Sequence, residues 1–257
     1  MLSWTRTLNM DDAHSLLARV EPGMAFASWA TVCHGDLRHL SLARRREIVR
    51  LLRDHVLGLD PQRRVVENLF LRFYRNAAAS AQVDLLDLAW ALSHPLPLLV
   101  ADRILAPARA SGELDIPLAS VEDLVRSSLA TDKAESIRKT RTVVLGALER
   151  VGAIRSRGTG KNRSIRASRG EPHPLAFGWL LYRSGRNGPH ELSLDRGVTE
   201  SMGTRLTGCT AEHASAAIAW CLDRGVVGRA GDMLVCDGRP ISRIPRSELT
   251  GAAAGPP

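Results

Sequence analysis

A chain of 257 residues that is 44% hydrophobic and 24% charged can bury a sizeable core, which excludes a disordered or low-complexity protein. Aromatic residues are only 4%, so the core must rest on Leu, Val, Ala and Ile, a composition better suited to helix packing than to a sandwich or barrel. The net charge of +8 argues for an anionic partner, although an arginine-rich proteome gives the same total.

The cysteines Cys33, Cys209, Cys221 and Cys236 are scattered, without a Cys-x-x-Cys pair. That spacing points to reduced, partly buried thiols rather than a zinc knuckle or a disulfide framework, and no metal or cofactor is expected. The opening MLSWTRTLNMDD has no apolar core of a signal peptide, and no apolar run approaches the ~18 residues that span a bilayer. The expected location is the cytoplasm.

The first half reads as helix after helix. Asn9 or Asp11 caps a short helix through Val20, and Met24 to Cys33 gives another, followed by a turn at His34-Gly35-Asp36. Ser41 caps a helix to about Leu57, and Asp60-Pro61 starts one that ends near Asn76. Ala81 to Ser93 follows with Leu85, Leu88, Ala89 and Leu92 as its apolar stripe, then Leu98 to Ala110, bent at Pro107.

After Gly112 the texture changes. Glu113 to Ile116 suits a short strand, and Ser120 caps a helix through Leu129. Thr131 or Asp132 opens a long helix to Arg150 with Ile137, Val144, Leu145, Leu148 and Val151 on one arc. Lys139, Thr142, Gly146 and Arg150 lie opposite, with Arg138 at the border. Gly152 ends the helix, and Ala153 to Arg157 and Arg163 to Ala167 form a hairpin around Gly158-Thr159-Gly160-Lys161-Asn162. Helix, glycine, strand, basic glycine-rich loop and strand is the layout of a winged helix-turn-helix. A degenerate second unit is expected after a buried helix at Pro174 to Tyr182, with a helix over Ala211 to Arg224 and strands at Val226 to Arg229 and Met233 to Cys236. The expected architecture is therefore mainly α: a helical bundle over 1–112, a winged-helix domain with a basic wing over 113–170, a second winged-helix-like unit over 171–237, and a disordered tail over 238–257.

Charge distribution identifies the candidate site. Between Lys133 and Arg169 eleven basic residues face only Glu135 and Glu149, a net +9 that exceeds the total for the whole chain. The nucleic-acid-binding candidates are Arg138, Lys139, Thr142 and Arg150 on the helix, with Arg155, Arg157, Lys161, Arg163 and Arg166 on the wing. A helix of this kind fits a major groove, Gly146 permitting close approach, while wing arginines hold phosphates. Glu149 is an acceptor either for cytosine amino groups or for a neighbouring arginine. A solvated basic face on an ordinary hairpin is the alternative.

Elsewhere the residues favour structural roles. The arginines at 44–46, 50 and 53 are interleaved with Glu47 and Asp54, as on a salt-bridged surface. Gly158-Thr159-Gly160-Lys161 joins two strands and lacks the leading glycine of a phosphate loop. His34, Asp36 and His39 lack a second group of metal ligands. Asp84 and Asp87 are expected to face solvent, Asp102 to pair with Arg103, and the five dispersed tryptophans to anchor the core. No nucleophile elbow or other catalytic constellation is present in the sequence, so an enzyme is not expected.

The order of segments, from the helical half through LLDLAWALSHPLPLLVADRIL (Leu85 to Leu105), the basic helix ending LERVGAI and PHPLAFGWLLY (Pro172 to Tyr182), resembles the BrxA family, the small component of bacterial BREX phage-resistance systems. The resemblance implies a NusB-like helical domain joined to winged-helix elements, binding of double-stranded DNA without catalysis, and a place beside other BREX proteins. A winged-helix transcriptional regulator, a protein-interaction scaffold and an RNA-binding protein are the other readings.

Overall fold

The computed structural model describes residues 9–129, 133–158, 164–184 and 190–236 and is mainly helical, with small antiparallel sheets. Asn9 caps α1 (Met10–Leu17), its side-chain oxygen accepting from the backbone N–H of Asp11. After α2 (Phe26–Asp36), Ser41 caps α3 (Leu42–His55), whose Ile48, Val49, Leu51 and Leu52 are buried. The helix expected from Asp60 is instead a hairpin of β1 (Gly58–Leu59) and β2 (Val65–Val66). Asp60 does accept a backbone N–H, from Arg64 at 2.7 Å, but in a turn where Arg63 adopts φ 59°. The β-branched Val65-Val66 pair then extends the chain, and α4 (Leu69–Asn76) starts only at its own cap, Asn68.

Helix α5 (Ala79–Leu92) meets the next helical stretch at an 88° bend. That stretch comprises α6 (Pro95–Val100), a π-helical turn (Ala101–Leu105) and α7 (Ala106–Ser111). Pro107 has no N–H to donate and its ring crowds the preceding turn; widening that turn to the π form accommodates it without breaking the helix. Among the described residues no single helix is long and apolar enough to cross a membrane.

The remainder holds two runs of a strand, helices and two closing strands, with two helices in the first and three in the second. In the first run β3 (Asp115–Ile116) is followed by α8 (Leu118–Leu129), α9 (Ala134–Arg150), β4 (Ile154–Arg157) and β5 (Ser164–Ala167), with sheet order β3-β5-β4. Helix α8 begins two residues ahead of the expected Ser120 cap, directly after Pro117. In the second run α10 (Pro174–Ser184) leads into β6 (His190–Ser193), α11 (Leu194–Thr199), α12 (Met202–Thr207), α13 (Ala211–Asp223), β7 (Gly228–Ala230) and β8 (Met233–Cys236), with sheet order β6-β8-β7. Strand β6 and the six-residue α11 and α12 leave no mark in the sequence pattern, because Leu192 is the one apolar residue of HELS and the two helices are too short for an apolar period.

Helix α10 is buried from Leu175 to Tyr182 and packs on α4, α5, α12 and α13. The buried side chains form one cluster from Met10 to Cys236, continuous across residues 112 and 170. All four cysteines are buried, and none of them is in a disulfide. At the centre of these junctions Arg109 donates to the carbonyls of Ser168 (2.9 Å), Ala153 (3.0 Å) and Thr207 (3.3 Å), joining α7, the first sheet and α12. Gly170 is required there, since a Cβ would lie 2.1 Å from the Val151 carbonyl oxygen.

Candidate nucleic-acid interface

Helix α9 is held by its apolar side. Ile137, Thr140, Val143, Val144, Leu145, Ala147 and Leu148 are buried, and the helix packs on α5, α6, α8 and β4. What remains outside is a stripe of Arg138, Lys139, Thr142, Glu149 and Arg150, with Gly146 half-buried between them and open space above it. The helical period thus leaves the predicted polar side outward.

Local bonds decide which of these groups is free to meet a ligand. Lys139 pairs with Glu135 at 2.7 Å, one turn back, and holds that carboxyl below its ordinary pKa. Exposed pairs of this kind are easily exchanged for another anion. Thr142 donates its hydroxyl hydrogen to the Arg138 carbonyl. Glu149 accepts from the backbone N–H of Ser156 at 3.1 Å, tying the end of α9 to the edge of β4. Arg141 is paired with Glu122 of α8.

The sheet supplies a second set. Strand alternation turns Ile154, Ile165 and Ala167 inward and Arg155, Arg157 and Arg166 outward. Arg155 and Arg166 are direct antiparallel partners, and Asp115 opposes Arg166 from the other side. Two cations facing each other across a ladder repel. Among the described residues neither one, nor Arg157 or Arg138, makes an ion pair. Lys161 and Arg163, the tip of the expected wing, lie outside the described residues, as do Thr131, Asp132 and the 238–257 tail.

Arg150 is placed differently from expectation. Its Nη1 lies 3.6 Å from Oδ1 of Asp87 on α5, and Asp87 is buried rather than solvent-facing. Asp84 is half-buried and accepts the backbone N–H of His173 at 2.6 Å. An isolated Asp in a leucine-rich helix reads as an outward position, which is why the sequence pattern puts both carboxylates in solvent. They point instead into the seam between α5, α9 and residues 170–173. A cavity of about 110 Å³ there is lined by Asp84, Asp87, Arg150, Gly152, Gly170 and Glu171. Burial pushes the Asp87 carboxyl up to about 6, against the opposing pull of Arg150.

No family model, curated protein or solved structure matches the chain.

Other candidate groups have structural partners. Asp102 pairs with Arg205 of α12 rather than Arg103, because a neighbouring helical residue points about 100° away while Arg205 packs against the π turn. The turn expected at His34-Gly35-Asp36 is instead the end of α2, where Asp36 pairs with Arg19, while His39 beyond it lies 3.5 Å from Asp12. Among the described residues no group of three or more His, Cys, Asp or Glu side chains is placed to hold a metal ion. Arg44–Glu47 and Arg53–Asp54 form the interleaved pairs expected on α3. Trp29, Trp90 and Trp179 are buried, and Trp220 is half-buried beneath Arg224.

Proposed function

We propose that this protein binds double-stranded DNA without catalysis, gripping the phosphate backbone with α9 and the outer face of the first sheet. The observation that carries the reading is the outward set of Arg138, Arg155, Arg157 and Arg166, exposed cations that make no ion pair among the described residues, although Asp115 lies opposite Arg166 and Glu135 near Arg138. A phosphate shared by Arg155 and Arg166 would turn their repulsion into attraction, and guanidinium groups suit bidentate contact with phosphate oxygens.

The order strand, helix, helix, strand, strand with the first strand beside the last is the arrangement of a winged helix, and this supports reading the first run as such a unit; the second shares the sheet order but has three helices between its first two strands, which supports reading it as a degenerate one. In that arrangement α9 occupies the recognition position. Its exposed side presents Arg138, Lys139 and Thr142 beside Gly146, where no side chain hinders approach to a groove. Few of these groups read base edges, so grip outweighs sequence reading.

The second repeat is differently equipped. Residues 190–236 carry four arginines against six carboxylates, and α13 has no Lys or Arg. DNA contact is therefore assigned to the first repeat alone. The segment order shared with the BrxA family supports a place among BREX phage-defence proteins, in the cytoplasm, with the NusB-like label applying to the helices before Gly112. A gene neighbourhood containing the larger BREX components supports that role, and one of unrelated metabolic genes counts against it.

The binding experiment is a duplex titration at several salt concentrations. Neutralising Arg138, Arg155, Arg157 and Arg166 together should reduce the slope of log K against log salt by up to about 3 to 4, at roughly 0.9 for each phosphate no longer neutralised. Binding of a structured RNA but not duplex DNA would replace this reading with an RNA-binding one.

A further inference from the structure

Arg150 is claimed by two partners. It is exposed at the end of the proposed DNA-binding helix, yet its guanidinium leans on a buried carboxylate of the helical half. The separation of 3.6 Å is an ion pair too long for a good hydrogen bond, and Oδ1 of Asp87 has no hydrogen-bond partner. Asp87 therefore holds Arg150 chiefly by charge.

We propose that Asp87 is a latch that withholds Arg150 from nucleic-acid phosphate, so that a phosphate and the Asp87 carboxylate compete for one guanidinium. The inference rests on the DNA-binding reading above and adds a residue outside the binding unit that sets its affinity. A carboxylate in this seam keeps its charge only with difficulty. Asp84 lies one turn away on the same helix and adds repulsion, Glu171 lines the same cavity, and the half-buried His173, whose pKa burial lowers, is neutral near pH 7. His213 of α13, bonded to the Pro172 carbonyl, also acts on the Asp84 carboxylate. Arg150 is the cation that opposes these effects at Asp87.

Two consequences follow. When a phosphate draws Arg150 away, Asp87 loses its counter-charge and takes up a proton, so duplex binding is proton-linked. When the pH falls through about 6, Asp87 is neutralised first and Arg150 is released. Acid thus favours binding through this pair, and the effect is lost as the pH rises above that value.

The test compares the full chain with Asp87→Asn, Arg150→Gln and the double variant, titrating a 20-base-pair duplex at fixed low salt. Asp87→Asn should bind about 3- to 10-fold more tightly than the unaltered protein at pH 7.5 and show a salt slope steeper by about 0.9, one more phosphate neutralised. The double variant should bind no more tightly than Arg150→Gln. A second measurement avoids the Asp87 substitution: between pH 7.5 and 5.5 the unaltered protein should gain more affinity than Arg150→Gln does, the difference isolating this pair from the histidines. Unchanged affinity in Asp87→Asn, or an equal gain in the Arg150→Gln background, overturns the latch while leaving DNA binding standing. Absence of duplex binding by every form overturns the DNA reading and the latch together.

Discussion

Replacing Arg109 by methionine should cost this protein much of its stability without touching the proposed DNA surface. The guanidinium donates to three carbonyls, those of Ser168, Ala153 and Thr207, from elements 44 to 98 residues apart in sequence. Two of these acceptors keep a backbone donor after the substitution, Ala153 from Ser168 and Thr207 from Gly170. The Ser168 carbonyl loses the Arg109 donor. Hydrogen bonds to a charged group contribute about 1.5–3 kcal/mol each, and an orphaned buried acceptor costs about 1–3 kcal/mol. Against this, burial already penalises the Arg109 charge, and that cost disappears with the charge. The net loss is then about 2–4 kcal/mol, or a fall in Tm of roughly 5–15 °C for a chain of this size. Urea unfolding followed by circular dichroism reads it, as a lower midpoint at unchanged slope. Arg109→Lys should recover less than half, because an ammonium cannot span three carbonyls set around a planar fork. A loss below about 0.5 kcal/mol for the methionine variant would show that the junction is held by apolar packing alone.

Three further outcomes follow from particular residues. Asp87→Asn should stabilise the protein at pH 7.5 by about 1–3 kcal/mol, since a folded-state pKa raised from 3.8 to about 6 makes the unaltered chain lose stability as the pH climbs through that window; the advantage should vanish near pH 4, and an equal gain at both pH values would contradict it. Gly170→Ala should cost about 3 kcal/mol or more, because the new methyl would sit against the Val151 carbonyl oxygen, and near-wild-type melting would show that this approach is looser than described. Gly146→Ala should raise stability by up to about 1 kcal/mol, there being open space at that position, whereas Gly146→Glu should leave melting nearly unchanged and weaken duplex binding at least several-fold; full binding by the glutamate variant would remove the middle of α9 from the interface.

Much of this arrangement is legible in the sequence where a single period dominates. The α9 stripe, the alternation that turns Arg155, Arg157 and Arg166 outward, and the caps at Asn9 and Ser41 each depend on neighbours within a few residues. The departures share a cause. Asp60 offers a cap, but Val65-Val66 and the second cap at Asn68 decide where α4 begins. Asp84 and Asp87 look like surface acids, because the partners that admit them to the interior come from Arg150 and the His173 backbone, 63 and 89 residues away. Arg109 gives no signal at all: its partners are backbone carbonyls, which every residue has. Helices α11 and α12 are six residues each, shorter than two turns, and no period emerges from so few positions.

DNA binding is tested most directly by the affinity of the full chain for a duplex between about 50 and 200 mM salt, compared with a variant in which Arg138, Arg155, Arg157 and Arg166 are all replaced by glutamine. If these four arginines grip the phosphate backbone, the unaltered protein binds with log K falling linearly in log salt, and the variant binds far more weakly with a shallower slope. Equal affinity and equal slope in the two proteins would show that these arginines do not hold the backbone, whatever else the chain proves to bind.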